Sequence, residues 1–314
     1  MPILTVRHVT VYHYKQPVSF GEHRMMLRPR EGHDQRLIET RLDITPRPTE
    51  IRWIHDVFGN SVAAARFKGR ARELRFESTV QLDHQPLNVL EYELEGYART
   101  YPFSYGTEEI PDLARSVERH YPDPDRAVDR WARQFLRDKG PTDTLDLLAR
   151  MTCAAKRSLT YIPRHERGIQ EPAKTLKLGS GTCRDYAVLM IEAARSLGFA
   201  ARFVSGYLYS PGRDGGHVGG GSTHAWVRIY LPGAGWVEFD PTNGIVGSRD
   251  LIRVAIARDP SQAVPLHGTW MGFPSDNLGM TVDVSVTSTD KGDGSGSRPF
   301  PQPGTRPDTS RPLS

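Results

Sequence analysis

The sequence predicts an α+β protein: a β-rich opening third, a helical middle, and a compact helix followed by antiparallel strands. Three observations carry this. Residues 1–90 hold segments that alternate apolar and polar side chains with a period of two. Residues 108–160 carry helical spacing interrupted by proline and glycine. Residues 183–240 place one helix ahead of three strand-like runs. The expected division is a sandwich-like N-terminal domain over 1–90, a second domain with a helical lead-in over 91–288, and a disordered tail over 289–314.

Composition bounds the class. The chain has 314 residues, 38% apolar and 25% charged, which fits a soluble globular protein able to bury a core without staples. Its two cysteines exclude a disulfide scaffold and a four-cysteine zinc site. The net charge of +4 comes from 34 Arg and 7 Lys against 37 acidic residues, spread along the chain. No basic stripe with interleaved aromatics stands out, so no nucleic-acid partner is expected. No run approaches the ~20 apolar residues of a membrane span, and Met1–His8 lacks the apolar run of a signal peptide. The expected location is cytoplasmic, with both thiols reduced and no membrane partner.

Taken in order, Gln35–Ile44 places Ile38, Leu42 and Ile44 on one parity, and Leu74, Phe76, Val80 and Leu82 alternate with polar residues over 73–82. Gly59-Asn60 supplies a turn. Helices are expected over Glu108–His120, Asp125–Asp138 and Thr142–Leu159, the third burying Leu148, Met151, Ala155 and Leu159. A single helical turn is expected near Ala173–Lys177. A helix over 183–197 precedes strands at 200–209, 223–231 and 236–240, with a last strand at 280–286. The loop 211–222 has six glycines in twelve residues.

The chemistry concentrates at Gly179-Ser180-Gly181-Thr182-Cys183-Arg184-Asp185-Tyr186. Thr182 reads as an N-cap, with Asp185 three residues on as in a capping box. Gly198 is the C-terminal stop. Cys183 then takes the first helical position, where unpaired N–H groups and the helix dipole favour the thiolate. Gly181 lets a substrate approach the backbone closely, and the Cys183 N–H can hold an oxyanion. Cys153, in mid-helix, reads as a structural residue.

A thiol nucleophile needs a base, and the base needs an orienting group. Over 224–231 His224, Trp226, Arg228 and Tyr230 share one face, and Ala225, Val227, Ile229 and Leu231 the other, the core side. If Leu231–Gly235 is the hairpin loop, Tyr230 pairs with Trp236 and Trp226 with Asp240. His224 is then diagonal to Asp240 on one face. A loop one residue shorter would turn Asp240 away. Cys183, His224 and Asp240, in that order, suggest a thiol acyl-transfer triad.

Four ordered segments resemble the bacterial transglutaminase-like superfamily: Gly181–Tyr186, Ala201–Tyr207, Thr223–Val227 and Gly235–Asn243. His8–Tyr12, Met26–Arg30 and Asp56–Asn60 resemble the N-terminal region that accompanies it in bacteria. The resemblance implies a papain-like core behind a β-rich domain, with Cys183 as nucleophile, His224 as base and Asp240 as orienter. Arg184 stands where these bacterial proteins often have glutamine. The upstream tryptophan of the mammalian enzymes has no counterpart between Trp131 and Trp226. No acidic loop of EF-hand type appears, so calcium dependence does not carry over, and no metal or cofactor is expected.

Trp226 and Trp236 are expected to wall the cleft as substrate-binding residues, together with Gly181. Asn243 reads as a turn former within reach of His224, His217 as a substrate contact or loop filler, and Arg202 and Arg228 as exposed arginines able to meet an acidic group. The expected activity is hydrolysis of peptide or amide bonds in a peptide or protein substrate. Transamidation by the same residues, a binding module on the same fold and a Cys-His-Asp zinc site remain alternatives.

Overall fold

Alternation in the first third produces long antiparallel strands. In the computed structural model, which describes residues 3–85, 92–164, 168–209 and 221–289, they are β1 (Ile3–Met25), β2 (Gln35–Thr45), β3 (Glu50–His55), β4 (Ser61–Arg66) and β5 (Arg70–His84). Leu74, Phe76, Val80 and Leu82 on β5 are all buried, as the period of two requires. On β2 the register slips between Leu37 and Glu39. That bulge leaves Ile38 52% exposed while Leu42 and Ile44 pack inward, so the three do not share a face.

The middle of the chain forms β6 (Thr100–Tyr101), α1 (Ile110–Val117), α2 (Ala127–Arg133), β7 (Thr142–Asp143) and α3 (Thr144–Ser158). Then come β8 (Thr160–Tyr161), α4 (Pro172–Leu178), β9 (Ser180–Gly181) and α5 (Cys183–Ser196). Asp143 caps α3, accepting the Asp146 N–H at 2.8 Å, and Leu148, Met151 and Ala155 form its buried stripe. Burial surrounds α5 and takes in even Glu192 and Arg195. These two pair at 2.9 Å. Glu192 also accepts the His120 and Tyr121 N–H groups, and Arg195 donates to the carbonyls of Ser116, Ala201 and Arg258. With its remaining groups satisfied, the buried pair clamps the lead-in to α5. Gly198, at φ +88°, ends the helix, and the Phe199 N–H returns to the Ala194 carbonyl.

Five strands follow: β10 (Ala201–Leu208), β11 (His224–Leu231), β12 (Gly235–Asp240), β13 (Ile245–Val246) and β14 (Leu251–Ala257). They form one sheet in the order β13-β12-β11-β10-β14. Tyr230 pairs with Trp236 and Val227 with Phe239, the register that the apolar pattern selects. Ala225, Val227, Ile229, Leu231, Val237 and Phe239 share a core with the apolar side chains of α3 and α5.

The last two strands, β15 (Leu266–Met271) and β16 (Asn277–Thr289), return to β1. One half of β1 lies between β5 and β16, the other between β4 and β15. The two four-stranded sets pack through Phe76, Ile44, Ala63 and Trp270, which makes the body sandwich-like. Residues 266–289 therefore belong with the N-terminal strands and not with 91–265. The apolar alternation of 280–286 identifies a strand but not its partner, which lies at the opposite end of the chain. The expected boundary near residue 90 lies outside the described residues, and so does the expected tail over 289–314 except Thr289, which is the last residue of β16. A second face of the body, with Leu4, Val6, Val80, Leu82 and Val284, packs on Tyr207, Ile252 and Val254, so the two bodies share a core. No helix among the described residues is long and apolar enough to cross a membrane.

Candidate active site

The start of α5 is fixed by one carboxylate. Asp185 is fully buried and accepts the Thr182 N–H at 2.8 Å and the Thr182 hydroxyl at 2.9 Å, closing the helix start from inside. Its other oxygen accepts Arg164 Nη2 at 2.8 Å and the Gln170 N–H at 2.7 Å. The backbone at Gly181 passes so close to Asp185 that a Cβ there would lie 2.8 Å from the Asp185 Cβ. Gly181 is glycine for that approach. Among the described residues that line the cavity are its neighbours Thr182 and Cys183, and not Gly181 itself.

Cys183 is free and 8% exposed, at the first position of α5. It opens into a cavity of about 320 Å³. Its backbone N–H takes no hydrogen bond among the described residues. Cys153 is also free, lies on α3 and does not line this cavity.

His224 opens β11 and is buried. Its Nε2 meets Asp240 Oδ2 at 2.8 Å across the hairpin. Its Nδ1 has no hydrogen-bond partner among the described residues. Burial alone would lower the imidazole, but the Asp240 carboxylate and its hydrogen bond, with a further contribution from the Cys183 thiol, raise it well above the ordinary histidine range. The nitrogen left over is therefore the one available to Cys183.

Asp240 is wholly buried and heavily bonded. Oδ2 also accepts Asn243 Nδ2 at 2.8 Å, and Oδ1 accepts the N–H groups of Thr242 at 2.9 Å and Asn243 at 3.4 Å. Burial raises this carboxyl, yet His224 and these donors hold it below the usual carboxylate range. Asn243 lies 3.5 Å from His224 Nε2 as well, so it belongs to the cluster as well as to the turn. Lys156 of α3 holds that turn through the Asn243 carbonyl at 2.8 Å.

The two tryptophans do not wall the cleft. Trp226 is completely buried behind His224, ring centroids 6.0 Å apart and nearly parallel, with its N–H given to Glu238. The face it shares with His224 is covered by a charged network. Arg253 of β14 grips Asp34 at 2.9 Å and Glu238 at 3.0 Å, and Arg228 reaches Glu238 at 3.1 Å. Trp236 lies at the far end of the hairpin, under Arg202 at 4.1 Å and edge-on to Tyr230. Arg202 and Arg228 are thus committed elsewhere. His217 lies outside the described residues.

The actual wall includes residues that sequence reasoning missed. His8, Thr10 and Tyr12 of β1, with Met280 and Val282 of β16, line the cavity together with Tyr161, Pro163 and Arg184. His8 is bonded to the Tyr207 hydroxyl and Thr10, both at 2.9 Å. No local signal marks these positions, because the two strands meet only through long-range pairing. No group of three or more His, Cys, Asp or Glu suited to a metal ion stands together among the described residues.

Residues 4–83 match the family model of the bacterial transglutaminase-like N-terminal region, and residues 129–241 match that of the transglutaminase-like superfamily. An uncharacterised protein of Mycobacterium leprae is 27% identical over 90% of this chain and 98% of its own length. One of Mycobacterium tuberculosis is 28% identical over 90% of each. A protein-glutamine gamma-glutamyltransferase of Pseudomonas aeruginosa is 36% identical over 73 residues, 22% of this chain and 11% of that protein. Among solved structures, a candidate cysteine protease from Cytophaga hutchinsonii superposes with a TM-score of 0.66 at 18% identity, covering 92% of each chain, a likeness of fold.

Proposed function

The chain belongs to the transglutaminase-like superfamily, and from that premise we propose that it is a cysteine-dependent amide hydrolase acting on a peptide or protein. The observation that carries this reading is the division of the His224 ring. Nε2 is held by a buried Asp240, and Nδ1, with no hydrogen-bond partner among the described residues, is left beside a thiol at a helix start that opens into a cavity.

In this reading His224 Nδ1 takes the Cys183 proton, and the imidazolium is stabilised by Asp240. The thiolate attacks the substrate carbonyl, and the oxyanion faces the Cys183 N–H at the positive end of α5. Collapse breaks the C–N bond, leaves a thioester on Cys183, and passes the proton from His224 to the departing amine. Water, deprotonated by His224, attacks the thioester, releases the carboxylic acid and restores the thiol.

A second reading is favoured by the local likeness to the Pseudomonas aeruginosa gamma-glutamyltransferase: a primary amine replaces water in the last step. The test compares the fate of a peptide library with wild type and Cys183→Ala. Cleavage or deamidation by wild type alone is expected, and turnover retained by the variant rejects the mechanism. A glutamine peptide with and without a primary amine separates the two readings, since ammonia release without amine incorporation counts against transamidation. Iodoacetamide should also label Cys183 well before Cys153, although Cys153 is the more exposed of the two.

A further inference from the structure

The cavity beside Cys183 carries charge of one sign. Arg164, Arg184 and His224 line it, and no described aspartate or glutamate does. His8 also reaches it, but burial lowers its imidazole to about 4, which leaves it neutral near pH 7. Arg164 is committed to Asp185 and His224 to Asp240, each at 2.8 Å.

Arg184 differs from both. It follows the thiol directly on α5, is half-buried, and makes no ion pair or hydrogen bond among the described residues. Arg184, the Cys183 thiol and Tyr161 all line the cavity. The lining residues Thr10 and Tyr12 of β1 and Met280 and Val282 of β16 are uncharged. A guanidinium kept partly out of water, with no counter-ion among the described residues and next to the thiol in the chain, is completed by an anion that enters with the substrate.

We infer that Arg184 selects substrates bearing a carboxylate beside the scissile amide, and holds that carboxylate while Cys183 attacks. This rests on the reading of Cys183 as the nucleophile. The carboxylate can be an acidic side chain next to the cleaved bond or the α-carboxylate of a γ-glutamyl amide, because the fork of donors fits both.

Two alkylating reagents of the same reactivity class, iodoacetate and iodoacetamide, test the inference at Cys183 itself, since only the first carries a carboxylate. The ratio of their rate constants, referred to the ratio for the urea-unfolded chain, is expected to fall about fivefold in Arg184→Gln. Arg184→Lys should recover part of it, and added salt should compress it in wild type. A ratio indifferent to residue 184 overturns the inference. Slow alkylation by both reagents counts instead against the nucleophile reading, so the two failures are distinguishable. Peptides with Glu or Gln beside the cleaved bond, and γ-glutamyl amides with a free or amidated α-carboxylate, identify which carboxylate is held. Lack of preference for the acid in every such pair, in wild type, also overturns it.

Discussion

At the scale of single residues, His224 and Asp240 stabilise each other's charged forms, and this sets a pH window. A histidine raised in the fold contributes stability that is full below its unfolded value and declines as pH climbs toward the folded one. A lowered carboxylate contributes above its unfolded value and loses this as pH falls through the folded one. Asp240→Asn removes the counter-charge and leaves a buried histidine that resists protonation. The difference in Tm between wild type and Asp240→Asn is therefore expected to be widest at about pH 5 to 6.5 and to narrow as pH rises above that range. A difference that stays constant from pH 5 to pH 9 would show that the pair is not ionised in the fold. This pair is legible in the sequence because both members lie in one hairpin, where parity and loop length fix the register. Trp226 has the parity of His224, and parity says nothing about what covers that face. The cover is Arg253 on β14 with Asp34 from the far N-terminal body, so the ring becomes a support behind His224 instead of a cleft wall.

At the scale of elements, the start of α5 depends on Asp185 more than on the threonine before it. One buried carboxylate binds the N-cap residue, Arg164 and the Gln170 N–H, and so joins three segments around the thiol. Asp185→Ala leaves those donors without a partner in a dry site, at a cost of about 3 kcal/mol by urea unfolding. It should also slow alkylation of Cys183 well beyond any effect on Cys153. A variant with wild-type stability and normal Cys183 reactivity would show that the helix start holds its shape without this carboxylate. The ends of α3 and α5 can be read from Thr, Asp and Gly at capping positions. β14 cannot be read in that way: all seven of its residues are buried, so it shows no alternation to detect.

At the scale of the whole molecule, the first and last strands bind the two bodies into one unit. β16 pairs with β1 from Ile3↔Thr289 to Tyr14↔Asn277, and the same β1 residues that it covers turn toward the cleft. Sequence reasoning had no means of finding this contact, since loop closure over more than 260 residues leaves no local trace. The pairing makes a sharp contrast between two truncations. Ending the chain after Thr289 retains every described strand and should leave Tm nearly unchanged. Ending it after Asp276 removes β16, exposes the edge of β1 and uncovers the interface side chains Leu4 and Val6. Lost pairing and burial of several kcal/mol, at about 2–4 °C per kcal/mol for a chain of this size, lower the expected Tm by about 10 °C or more. The bared edge should also promote aggregation. Because Met280 and Val282 leave with the strand, Cys183 should become accessible to bulky thiol reagents that the intact chain excludes. If the shorter chain melts at the wild-type temperature with unaltered Cys183 accessibility, β16 is an ornament of the N-terminal body and not a wall of the site.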